Sequence, residues 1–324
     1  MKIAYLMLVH SNPLLQQRAI NMLSSEGCGF FIHVDAKSDI RPFGGIRGDH
    51  VTLVEPRIPV YWGEFSQVQA TMLLIQEALQ HSAGYDSLVL LQGADYPLCS
   101  GSYIQSFLDR NRGVEFLSMV KIPAPGFPLT KINKLEYPVE NAFLQFGARA
   151  LGKIGLAQRD YRKYLSGLDG YAGDACWVLS REACLYLTEF AARNAHVGRY
   201  FRNTESSDEM FFHTILGNSH FRERAKRSIM YRDYPSHLNH PALLDEKHVR
   251  WFDSQEKVLV DDEWGPGELL FARKFSDRNL HVIDRMDEMI RRKEMKGRGS
   301  LSTLAGQAGD SHTPETTTTA IGRL

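Results

Sequence analysis

Three short, predominantly apolar runs, the first of them unbroken, constrain this 324-residue chain more than any other feature: residues 3–9, 29–34 and 87–91. A strand with one face in water alternates apolar and polar side chains, whereas one that is apolar throughout must be covered on both faces. Between the first two runs, Ser11-Asn12-Pro13 is followed by Leu14, Leu15, Ala19, Ile20 and Leu23 at helical spacing. Strand, helix and strand of this kind build an α/β fold, with a mixed, mostly parallel sheet and helices on both faces. Ligands in such folds bind beyond the carboxyl ends of the strands. The three runs end at His10, at Asp35 and, through Gln92-Gly93-Ala94, at Asp95.

A third short strand is expected over 51–54, leading through Pro56 and Pro59 to Val60-Tyr61-Trp62-Gly63-Glu64-Phe65-Ser66, with Ser66 as candidate cap of a helix over 67–80. Strand signals recur at 114–120, 171–180 and 229–232, and helical signals at 181–193 and 280–293. The stretch 113–158 also holds Pro-rich, aromatic and basic segments without a clear period. Residues 269–274 end in the basic Phe271-Ala272-Arg273-Lys274. From 297 onward Gly, Ser and Thr dominate, so 297–324 is expected to be a disordered tail.

Ser207-Asp208-Glu209 heads the apolar segment Met210–Leu216. Ser207 and Asp208 are candidate N-caps, and the helix dipole favours acids there. Locally this is either a capped core helix or a pair of working carboxylates.

Lys plus Arg and Asp plus Glu balance at 38 each, which removes bulk attraction to nucleic acid. Four cysteines without C-x-x-C spacing fit a reducing, cytoplasmic setting. There is no signal-peptide pattern and no apolar run of the roughly 18–20 residues a membrane span needs, so a soluble protein with at most peripheral membrane association is expected. The first strand runs into His-Ser-Asn-Pro, not G-x-G-x-x-G, which argues against a dinucleotide oxidoreductase.

In order along the chain, Val9-His10, Ile32-His33-Val34-Asp35, Trp62-Gly63-x-x-Ser66, Gly93-x-Asp95-Tyr96-Pro97-Leu98, Gly173-x-x-Cys176-Trp177-x-Leu179-Ser180, Ser207-Asp208-Glu209-x-Phe211-Phe212 and Leu270–Phe275 resemble the glycosyltransferase family of core-2/I-branching β-1,6-N-acetylglucosaminyltransferases and peptide O-xylosyltransferases, in a short, bacterial-like form. The resemblance implies a GT-A-type, Rossmann-like nucleotide-diphospho-sugar transferase fold. It implies one domain over 1–296, with a nucleotide-binding half of about 1–112 and an acceptor and catalytic half of about 113–296. The implied activity is transfer of N-acetylglucosamine or xylose, with inversion, from a UDP donor to a hydroxyl of a glycan, lipid-linked glycan or protein, in surface glycan synthesis. The alternative is an inactive nucleotide-sugar or carbohydrate-binding protein of the same fold.

By that resemblance Glu209 is the catalytic base and Asp208 its capping or orienting neighbour, with the two roles exchanged as the alternative. Val9, His10, Asp35, Tyr61 and Asp95 belong to the donor site, with turn-capping or Asx-turn roles as the alternatives for His10 and Asp35. The chain has no Asp-x-Asp motif to hold a divalent metal. The resemblance implies metal-free transfer with no cofactor, in which Arg250 and Lys274 meet the diphosphate charge; Arg232 and Arg273 compete with Arg250 for that role. Trp62 and Trp177 are candidate sugar platforms, or core residues.

Overall fold

The computed structural model describes residues 1–48, 50–138, 146–147, 158–235 and 240–308, with side chains described up to 296. Its strands are β1 (Ile3–Val9), β2 (Cys28–Val34), β3 (Val51–Leu53), β4 (Ser87–Gln92), β5 (Asp95–Pro97), β6 (Glu115–Phe116), β7 (Met119–Lys121), β8 (Tyr171–Gly173), β9 (Val178–Ser180), β10 (Ala225–Lys226), β11 (Met230–Arg232), β12 (Leu259–Asp262), β13 (Gly265–Glu268) and β14 (Phe271–Arg273). Seven form the main sheet in the order β10-β6-β9-β4-β1-β2-β3. β1 pairs in parallel with β2 and β4, and β2 with β3, while β9 runs antiparallel between β4 and β6.

The apolar runs are covered on both faces. Ala4, Leu6, Phe31, Leu88 and Leu90 pack with Leu74, Ile75 and Ala78 of the helix Phe65–Gln80. Tyr5, Met7, Val9, Phe30, Ile32 and Val89 pack on the other side with Ile20 and Leu23 of the helix Pro13–Leu23 and Ile104 of the helix Gly101–Arg110. Each such side chain contributes roughly 1.5–3 kcal/mol on full burial.

Some boundaries differ from those read in the sequence, for local reasons. The expected strands 114–120 and 171–180 each split in two. β6 and β9 stay in the main sheet, whereas β7 and β8 pair antiparallel as a separate ribbon. The crossing is tight: a Cβ on Gly173 would lie 1.8 Å from the Ser118 carbonyl oxygen. Ser66 does not cap its helix, because the helix starts at Phe65 and the Ser66 hydroxyl accepts instead from Tyr61 N at 2.9 Å. The helix Glu246–Ser254 has no counterpart in the sequence reading. Its start is fixed by Asp245, whose Oδ1 accepts from Lys247 N at 3.0 Å while its own N–H donates to His248 Nδ1 at 3.1 Å. The last helix, Leu280–Ala308, continues past Lys293, since no proline interrupts it; 309–324 lie outside the described residues.

β14 organises a second sheet, β11-β14-β5, parallel to β11 and antiparallel to β5. β5 follows β4 directly, so the two sheets meet where the main strands end. Gly173→Ala is expected to cost about 3 kcal/mol or more, because its methyl would overlap backbone and not a movable side chain. Urea denaturation checks this, and an unchanged midpoint would show that the β7–β8 crossing is looser than described.

Candidate active site

At the junction of the sheets, Asp95 is completely buried at the side chain and accepts from Arg273 Nη1 at 2.6 Å and from Gln92 N at 2.7 Å. The Cys176 thiol lies 3.6 Å from the same carboxylate, and burial together with that negative charge pushes its pKa well up. With its oxygens turned to these partners, Asp95 is a structural anchor.

One strand over, Arg232 forks onto both oxygens of Asp174, and Arg232 and Arg273 are paired neighbours in the β11–β14 register. Both guanidiniums are thus matched by carboxylates. Lys274 follows immediately and differs. It is half-buried, and its ammonium has no ion pair or hydrogen bond among the described residues. Burial and the adjacent Arg273 charge lower its pKa. Its backbone is fixed by Lys274 N to Ala242 O at 3.2 Å and Leu244 N to Lys274 O at 2.8 Å. Arg250, exposed on the helix Glu246–Ser254, likewise has no side-chain partner among the described residues.

The ends of β1 and β2 form the adjoining corner. Val9 buries its side chain, and its carbonyl accepts from Asp35 N at 2.8 Å; Gly93 packs against its backbone. His10 is exposed, and its carbonyl accepts from Ser38 Oγ at 2.9 Å. Asp35 closes an Asx turn onto Lys37 N at 2.9 Å, accepts from Val60 N at 3.2 Å, and pairs with Lys37 Nζ at 2.8 Å. Burial alone would raise its pKa, but these donors outweigh it and bring it below the ordinary value. Lys37 also stands 4.1 Å from the centre of the Tyr61 ring. The loop carrying Tyr61 is held by the buried His33, whose Nε2 accepts from Ile58 N at 3.0 Å.

Trp62 is 86 % exposed, and Gly63 beside it, at φ +71, approaches the backbone of Ser206. That places an open aromatic face next to the carboxylate turn. Trp177 is 2 % exposed and packs edge-on against Phe212, so the expectation that it offers a sugar platform is corrected to a core role.

Ser207–Glu209 is a single 3-10 turn, and the helix proper is Phe211–Gly217. Ser207 and Asp208 therefore do not cap it. The Ser207 hydroxyl is buried and engages Phe201 O at 2.7 Å and Thr204 O at 2.6 Å. This tether, with the packing of Met210, Phe211 and Phe212, holds the two acids at the rim. Lys131 Nζ donates to Glu209 Oε2 at 2.8 Å. Burial, then the neighbouring Glu209 charge, raises the Asp208 pKa to about 7. Tyr234, two residues beyond Arg232, is 61 % exposed.

Among the described residues, no group of three His, Cys, Asp or Glu side chains is placed to hold a metal ion. The acidic stretch 261–263 lies on the β12–β13 hairpin, where Asp262 pairs with Arg227 at 3.0 Å. No helix among them is long and apolar enough to cross a membrane. A cleft of about 680 Å³ is lined by Phe65, Met72, Leu73 and Phe211 with Arg199 and Arg202, and no acid is among its described lining residues.

Lys37, Lys131, Asp174 and Tyr234 join the site without having been singled out in the sequence. Asp174 and Lys37 had a signal, each lying within two residues of a motif position. Lys131 had none.

The Asp208 proton gives a stability test. The folded chain holds it up to about pH 7, whereas an unfolded aspartate loses it near about 4. Between these values the folded state binds more protons, so this group's stabilisation is present at low pH and is lost as pH rises through the window. Asp208→Asn is expected to melt above the wild type at about pH 8 and to gain nothing at about pH 4. Equal melting temperatures at the higher pH would show that Asp208 ionises freely.

A model of the family "Core-2/I-Branching enzyme" matches residues 3–256. The chain is 24 % identical over 315 residues to "Xylosyltransferase oxt" of Drosophila pseudoobscura pseudoobscura, covering 89 % of this chain and 33 % of that protein. It is 25 % identical over 228 residues to human "Xylosyltransferase 2", covering 67 % and 25 %. To the bovine "Beta-1,3-galactosyl-O-glycosyl-glycoprotein beta-1,6-N-acetylglucosaminyltransferase" it is 25 % identical over 324 residues, covering 91 % and 70 %. The chain thus spans between a quarter and a third of the two xylosyltransferases. The matched segment contains the carboxylate turn, Lys131 and the ends of β1, β2 and β4, set in the mostly parallel, helix-covered sheet of a GT-A-type fold. On this evidence the chain belongs to the core-2/I-branching enzyme family.

Proposed function

We propose that the chain is an inverting glycosyltransferase that moves a sugar from a UDP donor to an acceptor hydroxyl without a metal ion. N-acetylglucosamine and xylose are the candidate sugars, as the printed names of its relatives favour. The observation that carries the reading is a carboxylate turn at 207–209 together with a cation layer at the ends of β11 and β14, in which Arg232 and Arg273 are matched by Asp174 and Asp95 while Lys274 has no acidic partner among the described residues.

In the proposed step the acceptor hydroxyl gives its proton to the Glu209 carboxylate while its oxygen bonds to the anomeric carbon. The carbon–oxygen bond to the diphosphate breaks on the opposite face, and UDP departs with the electron pair. Positioned proton acceptance of this kind contributes about 10²–10⁴ in rate. The leaving diphosphate needs positive charge. Asp174 and Asp95 already match Arg232 and Arg273, which leaves Lys274 and Arg250 for the phosphates and favours Arg250 over its two competitors. His10, Asp35 and Tyr61, with the Val9 backbone, form the corner assigned to the uridine. Trp62 is the acceptor-side platform for a glycan, lipid-linked glycan or protein hydroxyl in surface glycan synthesis. The four free cysteines suit a cytoplasmic, reducing setting.

Glu209→Gln is expected to abolish UDP release from UDP-N-acetylglucosamine or UDP-xylose while UDP still binds, as read by calorimetry. Lys274→Ala is expected to weaken UDP binding and slow release by about 10²–10³, and excess EDTA to leave the wild-type rate unchanged. Normal turnover by Glu209→Gln removes that residue from the mechanism, and loss of rate in EDTA restored by Mn²⁺ refutes metal-free transfer.

A further inference from the structure

The two adjacent carboxylates at the rim are chemically alike, yet a base must be ionised in the bound complex. Left alone, two neighbouring carboxyls share a proton and titrate as a pair. The structure breaks that symmetry with one side chain. Lys131 reaches Glu209 Oε2 at 2.8 Å, with lysine and glutamate side chains 22 % and 35 % exposed. An ion pair this sheltered is screened less than one in open solvent.

Lys131 is delivered by a fixed element. It lies on the short helix Leu129–Asn133, where Ile132 is fully buried, the Ile132 carbonyl accepts from Tyr200 Oη at 2.8 Å, and the Asn133 carbonyl accepts from Arg159 N at 2.8 Å. Its ammonium also stands 4.8 Å from the Phe127 ring centre, a cation–π contact.

The other ionisable groups around the turn are differently engaged. Glu205 lies 3.8 Å from Lys134, which also pairs with Glu136. Arg232 is committed to Asp174, Tyr234 is an exposed phenol, and Arg202 is exposed with its guanidinium 5.9 Å from the Phe65 ring centre. Among the described residues, Lys131 is the only one whose side chain bonds the Glu209 carboxylate.

We propose that Lys131 is a positioning residue that makes the pair unequal: its ammonium holds Glu209 as the ready anion and leaves the proton of the pair on Asp208. This rests on the transferase reading given above. The raised Asp208 value agrees, since its causes are burial and the Glu209 charge, with Lys131 acting in the opposite direction. In the transfer step the acceptor's proton passes to Glu209, the Lys131 ion pair is transiently lost, and release of the proton to water restores it. Asp208 neither gains nor loses a proton.

The test is the pH dependence of UDP release from UDP-N-acetylglucosamine or UDP-xylose by the full chain. Removing a bonded cation from a carboxylate favours its protonated form. In Lys131→Met the acid limb of kcat/KM is therefore expected to move up by about one unit or more, while Lys131→Arg keeps the wild-type limb. A purely structural role would lower the melting temperature or the rate without moving the limb. An unmoved limb in Lys131→Met, or an equal move in Lys131→Arg, overturns the proposal. Titration of side-chain carboxyls by ¹³C NMR gives a readout independent of turnover: the wild type should show an aspartate signal titrating near neutrality that vanishes in Asp208→Asn, and the Glu209 signal should titrate higher in Lys131→Met. If the wild type releases no UDP from either donor, the transferase reading fails while this titration still decides the role of Lys131. A Glu209 signal unmoved by the substitution refutes it.

Discussion

The buried ion pair between Asp95 and Arg273 is the interaction on which the site's layout depends. Asp95 opens β5 just after the central strand β4 ends and pairs at 2.6 Å with Arg273, its register partner at the end of β14 in the second sheet, while its other oxygen accepts from Gln92 N at the end of β4 at 2.7 Å, so the pair ties the second sheet to the main one where the parallel strands stop. Breaking such a pair by removing one partner leaves a buried charge uncompensated, at a cost of about 3–5 kcal/mol. It also fixes the backbone one residue before Lys274. The cation proposed for the diphosphate is therefore placed by an anchor that itself touches no substrate.

Charge matching explains which groups remain available. Arg232 with Asp174 and Arg273 with Asp95 are two neutralised units side by side, and they give the site polar rigidity without net charge. Among the described residues, Lys274 and Arg250 are left as the cations of the site without carboxylate partners, and Glu209 is left paired with Lys131. A negative leaving group and a neutral acceptor hydroxyl are the substrates that such a division of charge suits.

Much of this was legible in the sequence. The apolar runs identify β1, β2 and β4 because burial on both faces leaves a compositional mark, and the polar residues at their ends follow from the geometry of parallel sheets. The chemical roles of neighbours in space were not legible. Asp95 and Asp35 look alike at strand ends, but one is sealed under Arg273 and the other closes an Asx turn on Lys37, a difference set by residues up to 178 positions away. Trp177 and Trp62 look alike as well, and only packing against Phe212 separates a core residue from an exposed face. The Ser207 hydroxyl reads as a helix cap, yet it bonds backward to the carbonyls of Phe201 and Thr204, a competing local use of the side chain, and the helix starts at Phe211. Lys131 sits in a stretch without periodicity and meets Glu209 from 78 residues away, so no local pattern marks it.

The most direct test of the account is a crystal structure of the full chain with UDP, grown with EDTA present. The account predicts the uracil and ribose in the corner formed by His10, Asp35 and Tyr61, the diphosphate within hydrogen-bond reach of Lys274 Nζ and the Arg250 guanidinium, and the Asp95–Arg273 pair unchanged beneath it. A diphosphate bound elsewhere, or UDP that binds only when Mn²⁺ is supplied and held by carboxylates, would contradict it.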